Sequence, residues 1–371
     1  MKTHRIASMG EDGVPRHATS VDQELRFLDL VEFQLASASE CSGSLLREIC
    51  DFLDSTDTSH PFQFPQWAGG GSHLALLRWQ GQLRWLAQFG VLYPVGRLFW
   101  PIRALTVNRG PVCDDLELME IGLSRLVDES RRMGIVYIDI APEWVDGFAT
   151  SARAALLRNG WVGLAGARSS LRLDLRVAPD HLLGNFRKAT RYEIRRSERQ
   201  QIEVRMAHDE ADFDSFFRLY REMASEKQFV AEHPDDVRPV LRWLAVEKGR
   251  GGLLLARKDE KLLGGAMIVR SGSRCWYILG ASAKDGTFSV GHLLQWRAIQ
   301  WAMERGCREY DFGGYREGVN SGPAFFKRGF CDNVVNFSLP YRYVVSQSRY
   351  RTLDLISQVR RRLRRFPMPR V

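Results

Sequence analysis

The feature that most restricts the fold of this chain is a pattern that occurs twice. A helical stretch from Leu116 to Met133 is stopped by Gly134, and the strand-like Val136-Tyr137-Ile138-Asp139-Ile140 and the segment ATSARAALLRNGW follow it. A second helical stretch, His292 to Met303, is stopped by Gly306 and leads into Glu309-Tyr310-Asp311-Phe312 and NSGPAFFKRGF. In each copy a strand with Tyr-x-Asp or Tyr-Asp precedes a short helix ending in Arg-Asn-Gly-Trp or Lys-Arg-Gly-Phe. A repeat of this size fits a duplicated domain better than a solenoid. The length of 371 residues agrees, since one hydrophobic core rarely organises so long a chain. The pattern therefore predicts two copies of one α/β domain.

Hydrophobic periodicity places the remaining elements. Val31 to Leu35 alternates as a strand, and Leu45 to Leu53 has helical spacing. Leu74 to Trp79, a Gln80-Gly81 turn, Leu83 to Tyr93 and Arg97 to Val107 read as consecutive antiparallel strands. A second pass starts near Ala178: strand Ile202 to Met206, helix Phe213 to Ala224, then strands Leu253 to Ala256, Leu262 to Val269 and Cys275 to Leu279. The expected division is a leader at 1–25, an N-terminal domain at 26–177, a C-terminal domain at 178–345 and a basic helical tail at 346–371. Trp161, Trp276, Trp296 and Trp301 are expected in the core.

Several classes are excluded by what the residues lack. With hydrophobic residues at 44% and charged residues at 26%, the chain is neither disordered nor fibrous. The most apolar stretch, Leu83 to Val107, is broken by Gln88, Arg97 and Arg103, so no transmembrane helix is expected. The first twenty residues have no apolar secretory core. Six cysteines, never closer than nine positions and without a CxxC pair, suit reduced thiols and give no metal site. A cytoplasmic location is the expectation. GxSxG, HExxH and GxGxxG motifs do not occur. Gly286 and Gly291 have P-loop spacing, but His292-Leu293 stands where Lys-Ser/Thr would hold phosphate and magnesium, which argues against nucleotide hydrolysis. The same loop opens a helix, whose free N–H groups and dipole favour an anion, or it is an ordinary turn.

Charge is concentrated at one end. Of the net +9, residues 349–371 contribute +7, from eight arginines against Asp354. Leu353, Ile356, Val359 and Leu363 fall on one helical face, with Arg360, Arg361, Arg364 and Arg365 around the rest. Three outcomes suit this tail: an anionic membrane surface, nucleic-acid phosphates, or docking of its apolar face on the second domain with the arginines left to recruit a polyanion. Arg187, Arg191, Arg195 and Arg199 recur every four residues, so on a helix they form one row, either a solvated face beside Glu193 and Glu198 or a wall for phosphates.

The segment YDFGGYREGVNSGPAFFKRGF, residues 310–330, resembles the signature of the FemABX-type aminoacyl transferases. HPFQFPQW at 60–67, NRGPVCDD at 108–115, FRKATRYEIRRSER at 186–199 and LLQWRAIQWAMERG at 293–306 extend the likeness over roughly residues 58 to 345. The resemblance implies two fused GNAT-type acyltransferase domains, mixed sheets flanked by helices. Some members insert a helical arm; here only about 28 residues separate Ala224 from Leu253, so no coiled-coil arm fits.

What the resemblance implies chemically is transfer of an aminoacyl group from aminoacyl-tRNA to an amine, such as one on a lipid-linked or nucleotide-linked peptidoglycan precursor, with no tightly bound cofactor. It assigns Lys327 to the reaction centre, where a tetrahedral oxyanion needs a fixed donor. Asp311, at a strand end, either orients an amine or caps the turn. Gly313 and Gly314 permit close backbone approach or simply a tight turn, and Tyr315 and Phe326 complete the motif. Arg109 and Asp114 flank Gly110-Pro111 in a loop that the resemblance puts near the acceptor, or that is a plain turn with solvated charges. Lys227 stands where the family carries a phosphate-binding arginine, keeping the charge but losing the bidentate fork. Arg187, Arg191 and Arg195 are the candidate polyanion contacts, together with Arg360, Arg361, Arg364 and Arg365, which could also hold the protein at the inner face of the membrane. Two alternatives stand beside this reading: an acyl-CoA-dependent N-acetyltransferase of the same fold, and a noncatalytic RNA- or membrane-binding adaptor.

Overall fold

The computed structural model describes residues 30–364, apart from 42, 68–71, 97–101, 284–288, 317 and 319–320, and without the side chains of 359–364. The expected leader and Arg365 lie outside the described residues. The first half carries β1 (Val31–Ser37), α1 (Gly43–Ser55), β2 (His73–Trp79), β3 (Gln82–Leu92), β4 (Arg103–Asn108), α2 (Leu116–Arg132), β5 (Ile135–Ala141), α3 (Asp146–Arg158) and β6 (Val162–Gly163). Next come β7 (Ser169–Asp174), α4 (Pro179–Asn185), α5 (Lys188–Arg199), β8 (Glu203–Met206), α6 (Glu210–Lys227), α7 (Pro234–Val246), β9 (Gly251–Lys258), β10 (Lys261–Ser271) and β11 (Arg274–Ser282). The chain ends with α8 (Val290–Glu304), β12 (Glu309–Tyr315), α9 (Gly322–Lys327), β13 (Val334–Asn336), β14 (Tyr341–Val344) and α10 (Gln347–Arg364).

These strands form two seven-stranded mixed sheets of the same design. The first runs β1-β2-β3-β4-β5-β14-β6 and the second β8-β9-β10-β11-β12-β7-β13. In both, the fourth and fifth strands are parallel and every other neighbouring pair is antiparallel. The repeat is therefore real at the level of topology, with β5 and β12 in the same position.

The sixth strand of each sheet corrects the expected division at 177/178. β7 precedes the second half yet sits between β12 and β13, while β14 follows it and sits between β5 and β6. Each half thus lends its partner a strand. The ion pairs repeat as well: Asp139 on β5 faces Arg342 on β14, with Nε and Nη2 each 2.6 Å from a carboxylate oxygen, and Asp311 on β12 faces Arg172 on β7, with Nε at 2.9 Å. A second difference is α7, a helix in the stretch left unassigned between Ala224 and Leu253.

The apolar faces explain the layers. Leu118, Leu123, Leu126 and Ala155 of α2 and α3 cover one face of the first sheet. Leu182, Ile194, Trp296 and Ile299 of α4, α5 and α8 cover one face of the second. The opposite faces share a core in which Phe52 and Leu53 of α1 meet Phe216 and Phe217 of α6 and Val240 of α7. Trp161, Trp276 and Trp296 are buried as expected, whereas Trp301 is half-exposed beneath the Arg305 guanidinium, 4.2 Å from its ring centre.

Candidate active site

In the first sheet the parallel pair β4–β5 stays paired from Arg103 to Asn108, in unbroken register from Ala104 on. In the second, β11 and β12 pair only over Arg274–Trp276 and Glu309–Asp311. Two local causes open the second pair. Ile278 is an extra residue in β11, because Met267 faces Leu279 while Ile268 faces Tyr277, and such a bulge bends its strand. On β12, Gly313 adopts φ +70°, where a side chain would be strained, and the register with β7 shifts between Asp311 and Gly314. The opening leads into a cavity of about 920 Å³ lined by β11, the C-terminal end of α6, the first turns of α8, and α9.

Lys327 lies on its wall. The ammonium donates to the carbonyl oxygens of Gly314 at 2.8 Å and Gly313 at 3.3 Å. Burial lowers its pKa to about 8, and the Asp311 carboxylate acts in the opposite direction. Asp311 does not line the cavity. It is 1% exposed and points to the other side of β12, where it accepts from the Ser170 hydroxyl and Arg172 Nε, and from the Gly313 N–H at 2.8 Å. It therefore holds the turn whose carbonyls hold Lys327.

The structure brings Lys227, Phe326 and Lys327 together on the cavity lining, with Gly313 and Gly314 reaching it through Lys327. Tyr315 is set apart, beneath the Arg328 guanidinium. Arg109 and Asp114 do not line the cavity: Arg109 is paired with Glu143 at the junction of the two halves, and Asp114 is exposed just before α2. On the α5 row, Arg191 is committed to backbone carbonyls, including that of Gly184 at 2.9 Å, while Arg187 lies 4.5 Å from the centre of the exposed Phe325 ring and Arg195 faces solvent. Gly286 falls outside the described residues. Gly291 and Arg196 border a smaller cavity, about 340 Å³, at the start of α8.

Three residues of the site were not read from the sequence. Ser170 and Arg172 belong to β7, whose alternation in SSLRLDL marks a strand but not the sheet that receives it. Gln295 sits inside an apolar helix face, and its polarity was the available signal.

Two seven-stranded mixed sheets with a splayed parallel pair and a lysine-lined cavity define a tandem-domain acyltransferase of the GNAT fold. The acetyltransferase (GNAT) domain family matches residues 184–328. The UDP-N-acetylmuramoylpentapeptide-lysine N(6)-alanyltransferase of Weissella viridescens is 27% identical over 245 residues, covering 61% of this chain and 71% of that protein. The lipid II:glycine glycyltransferase of Staphylococcus haemolyticus (strain JCSC1435) is 32% identical over 117 residues, which span 30% of this chain and 27% of the relative. Among solved structures, FemX superposes with a TM-score of 0.70 at 17% identity, covering 84% of this chain and 98% of that one. The chain is similar to aminoacyl transferases of the FemABX type, with the GNAT-family match confined to its second half.

Proposed function

We propose that this protein transfers an aminoacyl group from the 3′ ester of an aminoacyl-tRNA to an amine of a peptidoglycan precursor. The acceptor nitrogen attacks the ester carbonyl carbon, the C–N bond forms as the π pair moves to oxygen, and collapse breaks the C–O bond. The proton lost by the amine ends on the departing 3′ oxygen. The observation that carries this reading is Lys327, a half-buried ammonium fixed by two backbone carbonyls at the wall of the cavity. Such a cation stabilises the tetrahedral oxyanion without reorganising. Lys227, on the same lining, suits a phosphate of the donor or acceptor. Arg187 and Arg195 extend positive charge along α5 outside it, and Arg360, Arg361, Arg364 and Arg365 suit contact with tRNA or with the membrane that holds a lipid-linked acceptor.

The small cavity beside Gly291 and Arg196 favours a second donor, acyl-CoA, since a helix N-terminus with a guanidinium suits a diphosphate. Mass spectrometry of products formed with charged total tRNA or with acyl-CoA, across a panel of amine acceptors, separates the two. The expected product is an acceptor heavier by one aminoacyl residue, formed only with charged tRNA, and Lys327→Ala lowers kcat by about 10²–10³-fold at unchanged folding. Product from acyl-CoA alone replaces the donor, and no product from either leaves a binding module.

A further inference from the structure

We propose that Gln295 is a substrate-contacting residue of the cavity, its Nε2 donating a hydrogen bond to the carbonyl oxygen of the transferred acyl group. The inference rests on the acyl-transfer reading above and adds a second donor to Lys327. Gln295 interrupts an otherwise apolar face of α8, between buried Leu294, Trp296 and Ala298. It is 2% exposed and lines the cavity. A polar side chain kept in such a place needs partners for its amide.

Only half of that amide is answered by the protein. Gln295 Oε1 accepts from the Tyr310 hydroxyl at 2.8 Å. Tyr310 is fully buried on β12, and burial pushes its pKa well up, so the hydroxyl stays protonated and remains a donor. Pinning Oε1 in this way turns the two Nε2 protons away from Tyr310, and among the described residues no group accepts them. The cavity is the space left to them.

The same strand sets both donors. Tyr310 fixes Gln295 on one face of β12, and Asp311, facing the other way, holds Gly313, whose carbonyl with that of Gly314 holds Lys327. An amide N–H cannot accept from the ammonium of an aminoacyl group, so its ligand is an oxygen acceptor. The carbonyl oxygen, where negative charge develops on attack, is the acceptor whose bond to Nε2 strengthens toward the transition state. Nε2 keeps both protons throughout.

The test compares Gln295→Leu and the closer-fitting Gln295→Met, both without donors, with Tyr310→Phe, which frees the amide but keeps it. Each is assayed with the donor that the wild type uses, and each is titrated by calorimetry with 3′-(alanylamino)-3′-deoxyadenosine, a hydrolysis-resistant mimic that retains the carbonyl. Expected are a loss in kcat of about 10²-fold for both Gln295 variants, roughly tenfold weaker binding of the mimic, and a distinctly smaller effect of Tyr310→Phe. Wild-type kcat and affinity in a folded Gln295→Met overturn the proposal, as does a Tyr310→Phe loss equal to that of Gln295→Leu, which would make the pair a core contact alone. A wild type that transfers nothing overturns the acyl-transfer reading instead, and the titration with the mimic still decides on Gln295.

Discussion

At the scale of single residues, the chemistry turns on how a lysine is kept charged inside a protein wall. Burial pulls Lys327 down to about 8 while Asp311 favours its ammonium form. If the ammonium is the working state, kcat falls as pH rises through about 8. Asp311→Asn removes the favouring charge and moves that fall to lower pH; a profile that does not move would refute the coupling. Stability has the opposite sign. The folded pKa lies below the ordinary 10.5, so between about 8 and 10.5 the unfolded chain binds more protons and this group makes the fold gain stability with rising pH. Arg172 carries a separate expectation: Arg172→Met leaves the buried Asp311 carboxylate without its cation, at a cost of about 3–5 kcal/mol. In urea denaturation, the double variant with Asp311→Asn should lose less than the sum of the two singles. Lys327, Phe326 and the two glycines were legible because they share one short motif. Ser170 and Arg172 were not, because they lie 141 and 139 positions from Asp311.

At the scale of elements, one design leaves the parallel pair open in one copy and paired to its end in the other. The first sheet keeps β4 on β5 out to Asn108, and the ground beside that end is filled by Gln63, which is fully buried. Its Nε2 donates to the Asn108 carbonyl at 2.7 Å and its Oε1 accepts from the Gln88 N–H at 2.8 Å. Alternation and helical spacing made the main strands and helices of both copies readable, down to the stops at Gly134 and Gly306, but not the short strands β6, β7, β13 and β14 or the helices α4 and α7. The bulge at Ile278 was invisible, because an extra residue in an apolar strand leaves the composition of that strand unchanged. Packing gives a sharp test here. Gly122 of α2 lies on the buried Trp85 ring, and an added Cβ would stand 2.6 Å from it. Gly122→Ala should therefore destabilise the protein by about 1–3 kcal/mol despite the better helix propensity of alanine. The midpoint of urea unfolding checks it, and an unchanged or raised midpoint would show that the ring can move aside.

At the scale of the whole molecule, the exchange of β7 and β14 ties the two halves into one object. Neither strand was read from the sequence, and alternation would not have said which sheet takes it, so the expected cut at 177/178 would strip both sheets. The tail follows the same logic: α10 docks on the first half rather than on the second domain, with Tyr350, Leu353 and Ile356 against Val95, Ile102, Ala104 and Val136. Its anchor is shared with the exchanged strand, since Arg342 donates both to Asp139 and to the Tyr350 hydroxyl, the latter at 3.0 Å. Two truncations then separate structure from recruitment. Removing 349–371 takes away Tyr350 and Leu353 and uncovers apolar surface of the first half, so the melting temperature should fall. Removing only 359–371 keeps that contact and deletes six arginines, Arg360, Arg361, Arg362, Arg364, Arg365 and Arg370. The shorter deletion should melt as the full chain does, yet bind tRNA or anionic vesicles more weakly, with a flatter dependence between about 50 and 200 mM salt. Equal binding of both ligands across that range would confine the tail to its structural role, because arginines that displace counterions cannot be removed without reducing the slope.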